Sequence, residues 1–305
     1  MNKRTTKRLI TLLLVAVVSL GIWFFEQNGS ANEPKTYSTE FTMTVLALDK
    51  ADCIILQSGE SVVLVDGGET SDAGDVVGFL LAQKIYHIDV MIASHPHSDH
   101  IGGLDDVLNE DLISVDALLA PDIPEDEVGD SAVVRNFNQA VIDSGVQKLS
   151  CEPGDIYDIN GDIKLTVLSP IGDDHDGLNA WSAVVRADCG DISVLLTGDT
   201  TVAEEKKMLE NPRIAALLDC DILKVAHHGG TTSSSMDFLR AVSPEIALIT
   251  ARDDADEDYL MEKVVARLDE LGTKVYDTRH NGRIVCTQSD GGLSVSTQIP
   301  DELFK

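Results

Sequence analysis

Three histidines and an aspartate fall within six residues, in the stretch HPHSDH at positions 95–100. His95 and His97 are two residues apart, so an extended loop can direct both side chains into one cavity. Asp99 and His100 follow immediately. Neutral imidazole and carboxylate groups are suitable ligands for Zn²⁺, Mn²⁺ or iron. The residue types and their spacing therefore favour a metal site over a polar surface loop.

Two further segments consist of an apolar, strand-like run that ends in a potential ligand. Residues 194–196 precede Thr-Gly-Asp199, and residues 221–226 precede His227 and His228. Taken alone, Asp199 is also a suitable cap for a helix that starts near residue 201, and His227 is also a plausible turn residue. Because HPHSDH follows an apolar run as well, the repeated pattern favours one site to which all three segments contribute.

The runs around these segments predict alternating strands and helices. In the first half, strands are predicted at residues 41–48, 53–56, 61–65, 89–93 and 115–119, and helices at residues 72–84, 99–108 and 125–144. In the second half, strands are predicted at residues 155–158, 162–168, 181–187, 192–197, 221–225, 245–249, 273–276, 283–287 and 292–297, and helices at residues 201–210, 235–242 and 256–270. Strand meanders followed by strand–helix units thus occur twice. This predicts an α/β fold with two packed sheets and helices outside, a four-layer αββα sandwich.

The N-terminus has the features of a membrane-targeting segment. Four basic residues precede a charge-free apolar run at residues 9–25. This run is close to the minimum of about 17 residues for a helix that spans a membrane, and the basic flank predicts that the N-terminus stays inside. A cleaved signal peptide is the alternative, because residues 29–31 are small.

These features divide the chain into three parts. We expect a membrane anchor or signal segment at residues 1–25, formed by an apolar helix, and a polar linker at residues 26–40. One large domain follows at residues 41–300. The expected location is the cell membrane, with a single span and an extracytoplasmic domain; secretion after signal cleavage is the alternative.

The chain is strongly acidic, with 52 Asp and Glu against 23 Lys and Arg and a formal net charge of −29. Because the N-terminal flank is basic, the remainder is more acidic still. Such a surface keeps a protein soluble and argues against a broad nucleic-acid groove, which is normally basic. It does not exclude a phosphate ester held by bound metal cations.

The five cysteines lack the paired C-x-x-C spacing of a cysteine zinc site. Cys53 and Cys189 lie in or beside apolar runs and are interpreted as small core residues. One internal disulfide remains an alternative, but the odd count leaves at least one thiol free or paired with another chain.

The order of the motifs resembles that of the metallo-β-lactamase superfamily over residues 41–298. The resemblance rests on Asp66-Gly-Gly68, on the H-x-H-x-D-H signature at residues 95–100, on Thr197-Gly-Asp199 and on the late histidine His227. It covers nearly all of the chain after the N-terminal segment.

Within this superfamily, the chain resembles above all the hydrolase domain of ComEC-type DNA-uptake proteins. The matching segments are residues 94–103, 179–185, 195–199 and 223–229. Bacterial cell-wall phosphorylcholine esterases are similar over the same segments. The single apolar segment leaves no place for the membrane channel of a complete uptake protein.

The resemblance implies two divalent metal ions, zinc or manganese. The expected ligands of the first ion are His95 and His97, with Asn179 as a weak partner. The expected ligands of the second ion are Asp99, His100 and His227. Asp199 would bridge the two ions. The residues that the resemblance assigns to catalysis are Asp99, Asp199 and His228, and weak substrate contacts are assigned to Asn179, Thr278 and His280.

Two departures from the family pattern bear on this assignment. Many members carry a third histidine for the first metal where this chain has Asn179, and His175 is the nearby alternative. We therefore expect the first ion to be bound more weakly. The second departure is Asp49-Lys-Ala-Asp52, where ComEC relatives usually have Gly-Gln-Gly-Asp. Asp52 is interpreted as a structural hydrogen-bonding residue, and Lys224 as an ion-paired or snorkelling lysine.

The function that these features favour is an extracytoplasmic, dinuclear metal-dependent hydrolase, a phosphodiesterase or nuclease-like enzyme. Its expected partners are a phosphoester substrate, either nucleic acid or a cell-envelope polymer, and the membrane through the N-terminal segment. No obligate protein partner is inferred. One alternative is hydrolysis at a carbonyl carbon, as in lactonases or β-lactamases. The other is a metal-bearing interaction module without catalysis.

Overall fold

Two β-sheets form the centre of the domain in the computed structural model, which describes residues 40–252, 255–289 and 292–299. The described strands are β1 (Phe41–Val45), β2 (Ile54–Ser58), β3 (Ser61–Val65), β4 (His87–Ile92), β5 (Ser114–Leu119), β6 (Gln147–Leu149), β7 (Ile156–Ile159), β8 (Ile163–Ser169), β9 (Val184–Cys189), β10 (Ile192–Leu196), β11 (Ile222–Lys224), β12 (Ile246–Ile249), β13 (Lys274–Asp277), β14 (Ile284–Ser289) and β15 (Gly292–Thr297). The first sheet has the strand order β15-β14-β1-β2-β3-β4-β5-β6, and the second has the order β13-β12-β11-β10-β9-β8-β7.

Each sheet has an antiparallel part and a parallel part. In the first sheet, the strands from β15 to β3 pair antiparallel, and those from β3 to β6 pair parallel. In the second sheet, the strands from β7 to β10 pair antiparallel, and those from β10 to β13 pair parallel. This is the repeated order of a meander followed by strand–helix units that the sequence predicts.

Helices cover the outer face of each sheet. The described helices are α1 (Ala73–Ala82), α2 (Ser98–Ile101), α3 (Leu104–Asn109), α4 (Glu125–Val128), α5 (Ala132–Ser144), α6 (Val202–Glu210), α7 (Pro212–Ala215), α8 (Met236–Val242), α9 (Ala255–Leu271) and α10 (Thr278–Asn281), with short 3-10 turns at Thr70–Asp72, Leu178–Trp181 and Ala226–Gly229. One apolar cluster fills the space between the sheets. Two others pack α1, α3 and α5 on the first sheet and α6, α8 and α9 on the second. The two-sheet α/β prediction is confirmed.

The central strands are apolar on both faces because both faces are covered. In β3, Val63 and Val65 point into the cluster between the sheets, whereas Val62 and Leu64 point towards the helices. Successive side chains of a strand face opposite sides of the sheet. A strand between two covered faces therefore needs a continuous apolar run, which is why its sequence does not alternate.

The predicted helix that contains Asp99 and His100 is divided in the structure. The helix predicted at residues 99–108 is divided into α2 and α3 at Gly102 and Gly103. A Cβ atom at Gly102 would collide with the backbone near Thr70, and one at Gly103 with the backbone of Gly67. These glycines let the ligand-bearing helix lie directly against the loop that follows β3.

The N-terminal predictions lie outside the described residues. The anchor or signal segment at residues 1–25 and nearly all of the linker at residues 26–40 precede Glu40, the first residue that the structure describes. Within the described ranges, every helix is too short or too polar to cross a membrane. The division of the chain into anchor, linker and domain stays a prediction.

All five cysteines are buried and free. The alternative of one internal disulfide is therefore wrong for this structure. Burial raises the pKa of the Cys189, Cys220 and Cys286 thiols to about 12. These thiols are core residues with little tendency to ionise.

Candidate metal centre

The candidate ligands lie where parallel strands of the two sheets end. HPHSDH follows β4 of the first sheet, Asp199 follows β10 of the second sheet, and His227 and His228 follow β11. Every predicted metal ligand except Asp99 has a nitrogen or oxygen atom within 3.9 Å of another predicted ligand, and Asp99 Oδ2 lies 3.4 Å from His228 Nε2. Residues at the carboxyl ends of neighbouring parallel strands converge at one edge, and here the edges of both sheets contribute.

Asp66, at the end of β3, fixes the start of the histidine loop. The Ser94 backbone N–H donates to Asp66 Oδ1 at 2.8 Å, and the Ser94 hydroxyl donates to Oδ2 at 2.7 Å. His100 Nδ1 lies 2.8 Å from the same Oδ2 atom. A carboxylate behind a metal-binding histidine sets the tautomer and the orientation of its ring. Asp66 therefore holds His100 with Nε2 towards the site.

His95 and His97 form a close pair. His95 Nε2 lies 3.0 Å from His97 Nδ1, and the ring centroids are 4.7 Å apart. His95 is buried, and His97 is half-buried at the N-cap of α2. The two nitrogen atoms face each other across a gap that allows them to bind one cation or to share one proton.

Asp199 lies between two groups of histidines. Its Oδ1 atom is 3.3 Å from His100 Nε2 and 3.6 Å from His228 Nε2. Its Oδ2 atom is 3.9 Å from His95 Nε2 and 3.8 Å from His227 Nε2. The two carboxylate oxygens thus face different nitrogen groups, as a bridging ligand of two cations would.

Gly198 allows Asp199 to approach the histidine loop. Its φ is +48°, and a Cβ atom there would lie 3.0 Å from Ser94 Cβ and 3.1 Å from Ser182 Oγ. The Asp199 N–H donates to the Ser182 hydroxyl at 3.1 Å. Because a side chain at position 198 would be strained and crowded, the position needs glycine.

His227 and His228 both have a positive φ of 52°, within the turn Ala226–Gly229. Although they are adjacent, they differ in burial: the His228 side chain is 2% exposed and that of His227 is 28% exposed. His228 Nε2 lies 3.4 Å from Asp99 Oδ2, so His228 is directed into the interior of the site.

This geometry favours a different grouping of the candidate ligands. The sequence interpretation placed His227 with Asp99 and His100, but it is His228 that forms a compact group with those two residues. A second compact group consists of His95, His97 and Asp199. His227 faces the same Asp199 oxygen as His95 does. Both residues have a left-handed backbone within one turn, and their Nε2 atoms lie near different oxygens of Asp199.

Buried polar residues orient His228. Its Nδ1 atom lies 2.9 Å from Thr250 Oγ1, and the Thr250 hydroxyl donates to Asp52 Oδ1 at 2.5 Å. Lys224 Nζ lies 2.8 Å from Asp52 Oδ2, and both side chains are at most 2% exposed. Burial opposes ionisation of Asp52, but Lys224 and His228 outweigh it and lower the pKa of this carboxyl. Asp52 therefore supports His228 through Thr250, and Lys224 forms an ion pair with Asp52.

Asn179 lies beside His227. It belongs to the turn Leu178–Trp181, and its Nδ2 atom is 3.3 Å from His227 Nε2. The Trp181 indole N–H donates to Glu127 Oε2 at 2.7 Å, which joins this turn to α4. Asn179 is thus at the side of the site where the first ion is expected, although its role as a ligand or substrate contact stays a prediction.

His175 is engaged away from the candidate ligands. Its Nε2 atom lies 2.6 Å from the Gly172 carbonyl oxygen, and its Nδ1 atom lies 3.1 Å from Glu204 Oε1. The imidazole is fully buried. This arrangement gives no support to His175 as a substitute for the third histidine.

Thr278 and His280 lie in α10, after β13. The Thr278 hydroxyl accepts the Ala251 N–H at 2.9 Å and donates to the Ala251 carbonyl at 3.1 Å. His280 Nδ1 lies 2.8 Å from Asp277 Oδ2. These contacts hold the loop after β12 and the start of α10, not the histidine groups. Substrate binding by either residue stays a prediction.

Burial and charge shift the pKa values at the site in opposite directions. Burial, reinforced by His100, holds the pKa of His95 well below its ordinary value. Burial opposes ionisation of Asp199, but His100 and His228 outweigh it and keep the pKa of Asp199 well below its usual range. Burial would lower the pKa of His100, yet Asp199 and Asp66 raise it well above its ordinary value. Without a cation, a proton on His100 therefore balances the carboxylates.

The polar atoms at the centre of the site fit divalent cations. His100 Nε2, His228 Nε2, Asp199 Oδ1 and Asn179 Oδ1 are buried and lack a hydrogen-bond partner among the described residues. Buried polar atoms are normally paired. Imidazole nitrogen and carboxylate oxygen atoms that converge without partners are a suitable donor set for Zn²⁺ or Mn²⁺.

Access to the site is from one side. His95, His100, Asp199 and His228 are buried, whereas Asp99 has a 24% exposed side chain and His227 a 28% exposed one. A substrate would therefore approach past Asp99 and His227.

A different group of potential ligands lies at the opposite end of the strands. His87, at the start of β4, has Nε2 3.4 Å from Asp116 Oδ2 and 3.7 Å from Asp89 Oδ1. His87 Nδ1 lies 2.9 Å from the Ser114 hydroxyl. This group is largely exposed, and its polar atoms already have partners. We assign no function to it.

Thr250 is a site residue that the sequence interpretation missed. It directly follows β12, which the sequence does predict. The sequence pattern that predicted Asp199 therefore applies to Thr250 as well, since each is a polar residue that follows an apolar strand. A hydroxyl after a strand is far less conspicuous than a histidine, so its role became visible only through its contact with His228.

The comparisons with known proteins agree with this geometry. The model of the metallo-β-lactamase superfamily matches residues 47–136. ComE operon protein 3 of Bacillus subtilis is 31% identical over 210 residues, which cover 68% of this chain and 26% of that protein. Recombination protein 2 of Haemophilus influenzae is 25% identical over 240 residues, which cover 76% of this chain and 26% of that protein. The chain thus spans about a quarter of the length of these relatives.

A solved structure has the same fold. The metallo-β-lactamase fold protein YhfI from Bacillus subtilis superposes with a TM-score of 0.53 at 16% identity, covering 80% of this chain and 98% of that one. At this identity the likeness concerns the fold alone. The family model, the relatives and the H-x-H-x-D-H loop at the edge of two packed sheets agree. The chain therefore belongs to the metallo-β-lactamase superfamily of metal-dependent hydrolases.

Proposed function

We propose that the chain is an extracytoplasmic, dinuclear metal-dependent phosphodiesterase. The observation that carries the proposal is the position of Asp199, whose two oxygens face separate groups of imidazole nitrogens. A carboxylate between two nitrogen groups suits a pair of cations better than a single one.

The residues that would hold the ions follow from these contacts. For the first ion they are His95 and His97 with Asp199 Oδ2, and His227 with Asn179 beside it. For the second ion they are Asp99, His100 and His228 with Asp199 Oδ1. When bound, a pair of divalent ions supplies Lewis-acid activation and lowers the pKa of a water molecule towards ~7.

The buried residues around the ligands orient the ligand side chains. Asp66 directs His100, and the Thr250–Asp52 pair directs His228. Lys224 keeps Asp52 in its charged, accepting form. Because these groups are buried and mutually bonded, the ligand atoms would be preorganised before a substrate arrives.

The resemblance to the ComEC-type branch favours hydrolysis at a phosphorus atom over hydrolysis at a carbonyl carbon. The chain resembles ComEC-type domains, and one relative is named for recombination, a process of nucleic acids, whose backbone is a phosphodiester. The acidic surface favours single strands, short nucleotides or wall polymers over long duplex DNA. The relatives named for competence also agree with a membrane or envelope location.

The test uses the purified full chain. Metal content is measured first, followed by hydrolysis of bis(p-nitrophenyl) phosphate and of nitrocefin with Mn²⁺ or Zn²⁺. We expect phosphodiester turnover to fall by more than about 100-fold in His97→Ala, because loss of even an outer partner of a ligand costs 10–100-fold. His87→Ala, which removes a histidine remote from the site, is the matched control.

The outcomes separate the alternatives. Nitrocefin turnover without phosphodiester turnover would replace the proposal with a carbonyl hydrolase. Bound metal without any turnover would favour a metal-bearing interaction module. Full activity in His97→Ala would contradict the dinuclear site itself.

A further inference from the structure

A cavity of about 450 Å³ lies beside the candidate metal centre, on the side of the first sheet. The end of β5, α4 and α5 form its walls, together with His95 and Pro96 of the histidine loop. Its lining extends from Asp130 and Arg135, whose side chains are more than half exposed, to His95, which is buried. The cavity therefore ends at an expected ligand of the first ion.

The helix α4 borders both the cavity and the metal centre. Glu125 and Val128 of α4 line the cavity. Glu127 of the same helix accepts the Trp181 indole N–H at 2.7 Å, and Trp181 is the last residue of the turn that carries Asn179. Asn179 lies on the side of the centre where the first ion is expected. A substituent of a phosphodiester held at that ion can therefore extend into the cavity.

Most of the side chains that line the cavity are apolar. They include five members of the cluster that packs α1, α3 and α5 on the first sheet: Ala93, Ile101, Leu118, Val134 and Phe137. Aromatic side chains such as Phe137 stack on planar rings. Pockets that hold small molecules measure about 300–1,000 Å³ and are mostly apolar with a few polar groups. The size and the walls of this cavity therefore suit one ring system of a substrate.

The formal charges of the lining cancel, in contrast to the acidic character of the whole chain. Asp130 and Arg135 form an ion pair with 2.6 Å between Oδ1 and Nη1. Glu125 and Lys148 contribute one further negative and one further positive charge. The Asn138 amide, which also lines the cavity, can both donate and accept hydrogen bonds. Such a lining favours an uncharged group with a polar edge over a phosphate.

We propose that this cavity binds a nucleobase next to the phosphodiester that is cleaved. The inference rests on the proposed function and makes its substrate class more specific. A nucleobase is uncharged at neutral pH and has apolar faces and a hydrogen-bonding edge, which match the apolar walls and the Asn138 amide. A polyol unit of a wall polymer has hydroxyl groups along its length, and burying these against apolar walls would be unfavourable.

The first experiment compares dinucleotides that differ in one base, with the full, metal-loaded chain. Thymidylyl-thymidine is compared with two analogues in which one or the other thymine is replaced by hydrogen. We expect the loss of one of the two bases to lower kcat/KM on the order of tenfold, since stacking of a base on a side chain contributes that much. Equal kcat/KM values for all three substrates would overturn the inference.

Two variants of α5 test the cavity itself. Val141 is partly buried and lines the cavity, so Val141→Phe occupies space that the base needs, and Asn138→Ala removes the lining amide. In both variants the ratio of kcat/KM between thymidylyl-thymidine and the affected analogue should fall towards one, while kcat/KM for the analogue stays the same. Ile142→Phe, at a 71% exposed position, and Asn136→Ala, also exposed, lie on the same helix outside the lining and are the matched controls. A wild-type ratio in both Val141→Phe and Asn138→Ala would overturn the inference.

The second experiment measures binding without turnover. Thymidine, which has no phosphate, is added to the full, zinc-loaded chain, and saturation-transfer NMR detects contact with its base protons. We expect a signal that Val141→Phe abolishes, that Ile142→Phe retains and that added salt leaves unchanged, because the ligand carries no charge.

The results distinguish this inference from the proposed function. If thymidine binds in this way while no diester is cleaved, the base site stands and the phosphodiesterase proposal fails. If diesters are cleaved but removal of either base has no effect, the phosphodiesterase stands and the base site fails. Faster cleavage of glycerophosphoglycerol than of thymidylyl-thymidine would also overturn the base site, in favour of a wall polymer.

Discussion

His227 and His228 approach opposite oxygens of one carboxylate. His227 Nε2 lies 3.8 Å from Asp199 Oδ2, and His228 Nε2 lies 3.6 Å from Asp199 Oδ1. Two consecutive residues thus serve the two halves of the proposed dinuclear site. The consequence is that replacing one or the other should affect different ions.

His228→Ala should remove the second ion and leave the first. The variant loses a nitrogen that lies 3.4 Å from Asp99 Oδ2, and we expect the metal content of the full chain to fall from two ions to one. His227→Ala should weaken the first ion instead, because His227 faces the oxygen shared with His95. Metal analysis after gel filtration, combined with competition by a chelator, distinguishes these results. Equal loss of both ions in both variants would argue against separate positions.

Thr250→Val should weaken metal binding without unfolding the protein. The hydroxyl lies 2.9 Å from His228 Nδ1 and donates to Asp52. Loss of such an outer partner typically costs about 10–100-fold in metal affinity or activity. Thr250→Ser keeps the hydroxyl and is the matched control. The measurement is metal affinity together with thermal unfolding of the metal-free chain, and unchanged affinity in Thr250→Val would contradict the orienting role.

Lys224→Met should destabilise the fold by about 3–5 kcal/mol, since removing one partner leaves a buried charge uncompensated. Its partner Asp52 is 1% exposed and lies 2.8 Å away. The double variant Lys224→Met with Asp52→Asn should recover much of that stability, because no buried charge remains. Urea unfolding of the metal-free chains measures both effects. If the single and double variants were equally stable, the buried pair would not be the cause.

Metal binding should release a proton from the site. Burial alone would lower the pKa of His100, but Asp199 and Asp66 raise it well above its ordinary value, so the metal-free site holds a proton at neutral pH. A ligand histidine must be neutral, so a cation displaces that proton. Affinity should therefore rise with pH, by about tenfold per unit for one proton, until the pH exceeds the pKa of His100. Calorimetry in buffers with different ionisation enthalpies counts the protons, and a count of zero would show that His100 is already neutral.

The part of the site that sequence reasoning predicted consists of residues at strand ends. His95, His97, Asp99, His100 and Asp199 all follow apolar runs, and such runs locate strands by composition alone. The strand ends of both sheets meet at one edge of the domain. Knowing which residues follow strands was therefore enough to expect these side chains in one site. The two-sheet architecture was predictable for the same reason, since meanders and strand–helix units occur twice.

The choice between His227 and His228 was not predictable from residue types. Both are histidines, and they lie side by side in the turn Ala226–Gly229, so the residue types do not show which ring turns inward. The contact between Asn179 and His227 likewise depends on the 3-10 turn Leu178–Trp181, most of which precedes the strand that the sequence predicts at residues 181–187. A contact between residues far apart in the chain, such as Asp52 and Thr250, cannot be recognised from the local sequence pattern around either residue.

The ligands come from two different sheets, which has a consequence for stability. HPHSDH is carried by the first sheet, whereas Asp199, His227 and His228 are carried by the second. Any ion held by both sets would act as a tether between the two halves of the sandwich. Such a tether stabilises the folded chain by an amount that grows with free metal, about 2.7 kcal/mol at a concentration 100 times its Kd. The melting temperature of the domain would then follow the metal supply of its surroundings, and metal starvation would loosen the junction between the sheets.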